Sequence, residues 1–309
     1  MIGLIGFAGV EKGMYLVTGA TGQLGQRIVR YLRQKGQPVR ALVRFRNRYD
    51  ALEHWGAEIC LGDMTHAGDL QRACRGIEVI ISTHSSRAAD LSLIEQVDYR
   101  SNLDLIEVAE QQGIRHFVFI SVLGANTLHR DAPVFRAKAA VERGLEGSSL
   151  NYTILRPSGF SSNILQVAES ARQTGIYPLI GDGQHRTSIV STDDLAHMAA
   201  LAADLPAAQR AVIAVGGPQI LRRDQIPTLI SQLLNRDLWV LPIPLGVLDG
   251  GRSVLGVISE DLRLSLGTFR TLLAHEFFCT TEETDRLQSI FGFPLETLEA
   301  YLRRYLDLA

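Results

Sequence analysis

Apolar runs alternate with helical patterns along the first half of the chain. Strand-like runs fall at Tyr15–Thr18, Val39–Val43, Glu58–Leu61, Val79–Ser82, Phe117–Ser121 and Tyr152–Leu155. Stretches with helical spacing lie between them, near 23–35, 48–55, 67–75, 91–112 and 133–146. This alternation predicts βαβ units and a parallel sheet. Right-handed crossovers then place helices on both faces and a ligand site at the carboxyl ends of the strands. Past residue 160 the rhythm loosens. The pattern there predicts a helix near 164–174, a turn around Gly181–Gly183, a helix at Thr192–Asp204, a strand at Ala211–Val215, and helices near 222–235 and 284–307. An apolar run, LPIPLGVL at 241–248, sits in a Pro/Gly-bearing stretch; it reads as core, with an interface as the alternative.

The first strand runs into YLVTGATGQLG at 15–25, so Gly19, Gly22 and Gly25 fall between a buried strand and a helix. The first glycine permits a tight turn, the second admits backbone N–H groups to a pyrophosphate, and the third lets helix and strand pack closely. The helix N-terminus adds unpaired donors and the positive end of its dipole. GLIGFAG at 3–9 repeats the spacing, but no strand precedes it and Glu11 and Lys12 follow, so that copy reads as chance. The expected fold class is therefore α/β, a Rossmann doubly wound parallel sheet with helices on both faces and a smaller C-terminal part. Residues 1–13 are expected to form an N-terminal extension, 14–160 the dinucleotide-binding domain, and 161–309 a partly interleaved substrate- or partner-binding part.

Composition narrows the class further. With 46% hydrophobic and 21% charged residues in 309, and a mean hydropathy of +0.08, the chain reads as a soluble globular protein with a large core. A net charge of −2 gives no reason to propose nucleic acid as partner, and no stretch reads as a membrane span or signal peptide. Cys60, Cys74 and Cys279 show neither metal nor redox spacing, so no metal is expected and a reducing, cytoplasmic setting is the simplest. Lys12, Lys35 and Lys138 are the three lysines among 31 basic side chains, which makes a lysine inside the fold unusual.

The second strand ends at Arg44, followed by Arg46 and Arg48, with no acid before Asp50. A ribose-binding acid normally stands here in sites for NAD, and arginine suits a 2′-phosphate. The reading favoured is NADP(H), with NAD(H) and a merely solvated basic turn as alternatives. Asp63 follows the third strand, where it accepts from an adenine amino group or caps the helix starting near Ala67. His84 follows the fourth strand as a candidate proton carrier, or as an ordinary loop histidine. In the helix after the fifth strand, opened by Asp131 and Pro133, Val134, Lys138, Val141 and Leu145 form one stripe, so Lys138 is expected to face inward. An inward lysine needs a polar partner or a ligand. Ser121, at the end of the fifth strand, is expected nearby.

GATGQLG, LVR, LGD, IST, ISVLGA and YTILRPSGF (152–160) together resemble the atypical short-chain dehydrogenases/reductases, within them the NmrA-like group with its isoflavone-reductase-like and Ycf39-like members. The resemblance covers residues 14–220 well and the remainder in outline. It implies that Gly19, Thr21, Gln23, Leu24, Arg44, Asp63 and Met64 contact the dinucleotide and that Ser82 and Thr83 line it. It further implies that Lys138 reaches the nicotinamide ribose and that Pro157, Ser158, Gly159 and Phe160 border the nicotinamide. One departure matters. Typical members carry a tyrosine acid four residues before the lysine, and here that position is Val134. The expectation is an NADPH-dependent oxidoreductase that transfers hydride to a small planar organic substrate, with Lys138, Ser121 and His84 as catalytic candidates. The alternative is a non-catalytic NADP(H) sensor or protein-assembly factor, whose partner is a protein.

Overall fold

The structure, a computed structural model, describes residues 13–45, 47–84, 93–126, 132–247 and 270–307. The GLIGFAG copy, Arg46, Asp131 and Leu248 therefore lie outside the described residues. Strands β1 (Met14–Thr18), β2 (Val39–Val43), β3 (Glu58–Leu61), β4 (Ile77–Ser82), β5 (His116–Ile120) and β6 (Tyr152–Pro157) pair in parallel, as the alternation predicts. After β7 (Ile176–Ile180) and β8 (Arg186–Thr187), β9 (Ala211–Val215) completes one seven-stranded sheet in the order β3-β2-β1-β4-β5-β6-β9. The strand order reverses between β1 and β4, the place where α/β sheets open a ligand crevice.

Two apolar clusters cover the two faces. Val17, Ile28, Val79, Ile81 and Val118 belong to one, and Leu16, Ile80, Phe117, Phe119 and Ile154 to the other. The run of apolar residues within each strand thus reflects a sheet buried on both sides. Fully burying each such side chain contributes about 1.5–3 kcal/mol. The helix Thr192–Leu201, with a 3₁₀ turn at Ala202–Asp204, packs on the same cluster as the helix Gln23–Gln34. Chain beyond residue 160 thus supplies both a strand and a covering helix to the main sheet.

The remaining chain builds two small ribbons, β7 with β11 (Trp239–Ile243) in parallel and β8 with β10 (Leu221–Arg222) antiparallel. The apolar run at 241–247 is half-buried to exposed, with Val247 61% accessible, so the expectation that it is core is corrected. Pro242 and Pro244 lack the amide donors that a central strand needs, which keeps the run at a ribbon and off the main sheet. The helix expected at 284–307 is two helices, Thr281–Phe291 and Leu298–Tyr305. Gly292, at φ 73°, ends the first in the left-handed conformation, and Pro294 stands in the connection. No helix among the described residues is long and apolar enough to cross a membrane.

Candidate functional site

The glycine turn joins β1 to the helix Gln23–Gln34. Gly19 takes φ +69°, and a Cβ there would meet Thr83 Oγ1 at 2.6 Å and the His84 backbone at 3.1 Å. A Cβ on Gly25 would stand within van der Waals overlap of the Gly19 carbonyl and 2.8 Å from Ala20 Cα, so turn and helix meet backbone to backbone. Gly22 caps the helix without a side-chain acceptor, and the first turn carries no acid. Its free N–H groups and dipole end therefore suit a dianion. Leu24 is buried in the core, so only its backbone is available, while exposed Gln23 accepts from Arg27 Nη1 at 3.0 Å. Asn47 Nδ2 donates to Thr21 Oγ1 (3.2 Å), tying the turn after β2 to the glycine turn.

Arg44 is exposed at the end of β2, and its field reaches Asp63. Burial alone would raise the Asp63 carboxyl, but donation from Thr65 N and Oγ1 (both 2.9 Å) and the nearby Arg44 hold it below the usual range. Asp63 thus closes an Asx turn, and the following helix is capped at His66 instead. Met64 is 4% exposed and packs in the core with Leu42 and Leu70, so its side chain turns away from the cleft. Ser82 is also committed inward: it accepts from Thr18 Oγ1 and donates to Asn102 Oδ1 at 2.7 Å. Thr83 Oγ1 donates to the Thr18 carbonyl at 2.9 Å.

At the other end of the cleft, the helix Pro133–Gly147 carries the stripe inward as its spacing predicts. Val134 is half-buried, Lys138 is 5% exposed, and Val141 and Leu145 are fully buried. Lys138 Nζ donates to the carbonyls of Ile120 (2.9 Å) and His84 (3.3 Å) and lies 4.8 Å from the Phe119 ring centroid. Burial pushes its ammonium below the usual lysine range, against the pull of Asp98 and Glu142. Ser121 is 5% exposed, and its Oγ has no hydrogen-bond partner among the described residues. Burial, reinforced by Lys138 and Arg44, pushes His84 down to about 4, so its ring is neutral at physiological pH and holds no extra proton to donate.

The segment after β6 closes this end. Pro157 O accepts from Leu123 N (2.9 Å), Ser158 N donates to Val215 O (3.0 Å), and Ser158 Oγ donates to the Ser188 carbonyl. Gly159 and Phe160 lean on the segment around Val190, through Val190 N to Gly159 O and a bridge at Phe160. Beside Ser121 stands an apolar cluster of Ala132, Phe135 and Phe277, with Val122, Leu123 and Leu272 against it. The Phe135 and Phe277 rings lie 5.8 Å apart and tilted.

Sequence reasoning missed Asp98, fully buried and within electrostatic reach of both Lys138 and His84. The signal was present: Asp98, Ser101 and Asn102 interrupt the apolar stripe formed by Ile94, Val97, Leu105 and Ile106.

The photosystem II assembly factor Ycf39 of Synechocystis is 30% identical, over 94% of this chain and 90% of its own length. An NAD(P)H azoreductase of Xenophilus azovorans is 25% identical, over 94% of this chain and 98% of its own. The NADPH complex of the Escherichia coli quinone oxidoreductase QOR2 shares the fold at a TM-score of 0.75 and 21% identity, covering 95% of this chain and all of that one. A family described as NAD(P)H-binding matches residues 19–206, more than half of the chain. By that match and by its Ycf39 relative, the chain belongs to the NAD(P)H-binding family, within the atypical short-chain dehydrogenase/reductase group.

Proposed function

We propose that the protein is an NADP(H)-dependent oxidoreductase acting on small, planar, conjugated acceptors. The observation that carries this reading is the juxtaposition of buried Lys138 with Ser121, whose hydroxyl has no partner among the described residues, beside an apolar wall. The bound cofactor supplies the hydride. The glycine turn holds the diphosphate, and Arg44 pairs with the 2′-phosphate. Lys138 and Ser121 face the nicotinamide end, where the lysine places positive charge on the ribose hydroxyls. Val134 cannot donate a proton and His84 is neutral, which leaves the Lys138 ammonium or water to supply the product's proton. Conjugated acceptors tolerate this because charge delivered to them spreads over the ring system. The azoreductase relative and the quinone reductase fold support that acceptor class.

A second reading has a specific observation behind it. Val134 stands where the family's acid normally stands, and the Ycf39 relatives are named for assembly of photosystem II. In that reading the protein binds NADP(H) without turnover and docks to a protein partner. Stopped-flow oxidation of NADPH against quinones, azo dyes, enones and flavins separates the two. Turnover that saturates with acceptor supports the enzyme. Tight NADPH binding with no acceptor consumed counts against the enzyme and favours the assembly or sensor reading. For the cofactor, Arg44→Ala is expected to weaken NADPH about 10- to 100-fold and leave NADH unchanged, consistent with about 1.5–3 kcal/mol for a hydrogen bond to a charged group. Equal loss for both nucleotides overturns the 2′-phosphate assignment.

A further inference from the structure

The apolar wall beside Ser121 is made from two parts of the chain. Val122, Leu123, Ala132 and Phe135 belong to the nucleotide-binding side, and Phe135 lies three residues before Lys138. Leu272 and Phe277 come from the C-terminal segment, in which residues 270–274 are helical. Ala132, Phe135 and Phe277 are buried, whereas Val122, Leu123 and Leu272 keep part of their surface accessible. A buried aromatic base with a half-buried aliphatic rim, next to a few polar groups, suits the face of a planar ligand.

The C-terminal half of this wall is seated by two arginines. Arg223, just after β10, donates from Nη1 to Leu273 O (2.6 Å) and from Nη2 to Leu272 O (2.6 Å) and His275 O (3.0 Å). These carbonyls lie in or just past the last turn of the short helix, where no further turn supplies their donors. A guanidinium suits the negative end of a helix, and its rigid fork fixes orientation as well as contact. Arg223 is itself tied down by its own N–H, which donates to His185 O at 3.0 Å. Farther along, Arg186 Nε and Nη2 hold the Glu276 carboxylate at 2.8 and 2.7 Å, and Arg186 N donates to it at 3.0 Å. Phe277 then bridges to Thr187 in β8. The span from Leu272 to Phe277 is thus held at both ends from the β8–β10 region, while Phe135 is carried by the helix that also carries Lys138.

We propose that Leu272 and Phe277 determine which acceptors bind, and that Arg223 is the positioning residue that sets them against Phe135. The acceptor role rests on the oxidoreductase reading given above; the seating of the segment by Arg223 does not.

Steady-state kinetics of Leu272→Ala, Arg223→Met and Arg223→Lys, with NADPH and quinones of increasing ring number, test this. Leu272→Ala is expected to raise kcat/KM for the largest quinone over the smallest about tenfold, the scale on which an apolar pocket reads removed methyl and methylene groups. Arg223→Met is expected to raise the KM of every quinone about tenfold, with kcat and the NADPH Kd moved by no more than about threefold. It is also expected to speed amide exchange across residues 272–277. Arg223→Lys is expected to recover part of the KM, because an ammonium lacks the fork that spans the three carbonyls. An unchanged size preference in Leu272→Ala, with wild-type turnover intact, overturns the specificity assignment and leaves the oxidoreductase reading standing. A wild-type protein that turns over none of the acceptors overturns that reading and the acceptor role together, and amide exchange then judges the seating alone. Unchanged exchange in Arg223→Met overturns the seating, and an equal loss of quinone and NADPH affinity makes Arg223 a general support of the fold. Should Arg223→Met not fold, Arg223→Lys carries the KM and exchange comparisons, and Leu272→Ala decides the specificity.

Discussion

Two polar clusters, a buried one at the carboxyl end of β5 and a partly exposed one on the helix Gln23–Gln34, are built on opposite plans. On that helix Arg27 Nε donates to Asp193 Oδ1 (2.9 Å) and its Nη2 to the Tyr301 hydroxyl (3.0 Å). Arg304 donates to Asp193 Oδ2 (2.7 Å) and Glu296 Oε2 (2.8 Å), and Tyr305 donates to the same aspartate. Charges alternate and every oxygen named has a donor, so the cluster clasps the helix Leu298–Tyr305 to the helix Gln23–Gln34. At the cleft, Lys138 bonds only carbonyls among its direct partners and Ser121 Oγ bonds nothing described. A cluster whose valences are all used is structural. One with valences left over is of the kind that a bound ligand completes.

Crossed substitutions break or sharpen that contrast. Arg27→Met should produce the largest effect on stability. It leaves Asp193 to Arg304 and Tyr305 and removes a donor to the Tyr301 hydroxyl, at a cost of about 2–3 kcal/mol for this partly exposed pair, below the range for a fully buried one. Urea denaturation checks this, with NADPH affinity expected to stay within about twofold. A tenfold loss of affinity with stability intact would reverse the assignment of the cluster.

Lys138→Met should do the opposite. Relief of ammonium burial and loss of the charge facing Asp98 act against each other, so stability is expected to stay within about 1 kcal/mol. NADPH affinity is expected to fall about tenfold, one charge-assisted hydrogen bond's worth. Fluorescence titration and urea melts of the same preparation give both numbers. A variant that loses stability and keeps affinity would make Lys138 a core residue and nothing more.

These two side chains also mark how far the sequence could be read. Lys138 was legible because its stripe is period-based and its neighbours Val141 and Leu145 are apolar without ambiguity. Gly19, Gly22 and Gly25 were legible because strand and helix flank them. Asp98 was legible only in principle: with Ser101 and Asn102 it interrupts an apolar stripe, but the π-turn that delivers it leaves no residue signature of its own. Met64 and Leu24 matched the family pattern, yet position alone does not say that both side chains turn into the core. The break at Gly292 was legible in principle, with glycine and Pro294 together, and was overrun by helical periodicity on either side. The apolar run at 241–247 misled for a related reason: hydrophobicity marks a packing partner, not which ribbon provides it.

The clasped cluster contains one misfit, which gives a smaller, pH-dependent test. Asp194 accepts from Glu296 N at 2.7 Å, but burial, with Glu296 and Asp193 nearby, pushes its carboxyl up to about 6. The folded protein thus holds this proton more tightly than the unfolded chain, whose carboxyl titrates near about 3.9. The stabilisation from that proton is full below about pH 4 and is lost as pH rises through about 6. Asp194→Asn keeps the acceptor and removes the titration. It is expected to stabilise the fold by about 1 kcal/mol at pH 7, discounted for partial exposure, and to flatten the urea midpoint between pH 4 and 6. A variant less stable than wild type at pH 7 would show that the charge is used by the cluster after all.

Ser121→Ala should have the smallest effect on the fold and is the most discriminating for the cleft. A buried hydroxyl that bonds a neighbour costs about 1 kcal/mol or more when deleted; one that bonds nothing costs almost nothing and its removal relieves a desolvated dipole. The main chain is unaffected by the change, because Ser121 N donates to Leu155 O at 2.8 Å whatever the side chain. Stability is therefore expected to be unchanged or up by about 0.5 kcal/mol, while hydride transfer to a quinone falls several-fold if the hydroxyl finds its partner in the bound ligands. Loss of 1 kcal/mol or more in the unliganded protein would mean that Ser121 is already satisfied from within. Its valence would then count with those around Asp193, and the leftover capacity of the cleft would reduce to Lys138.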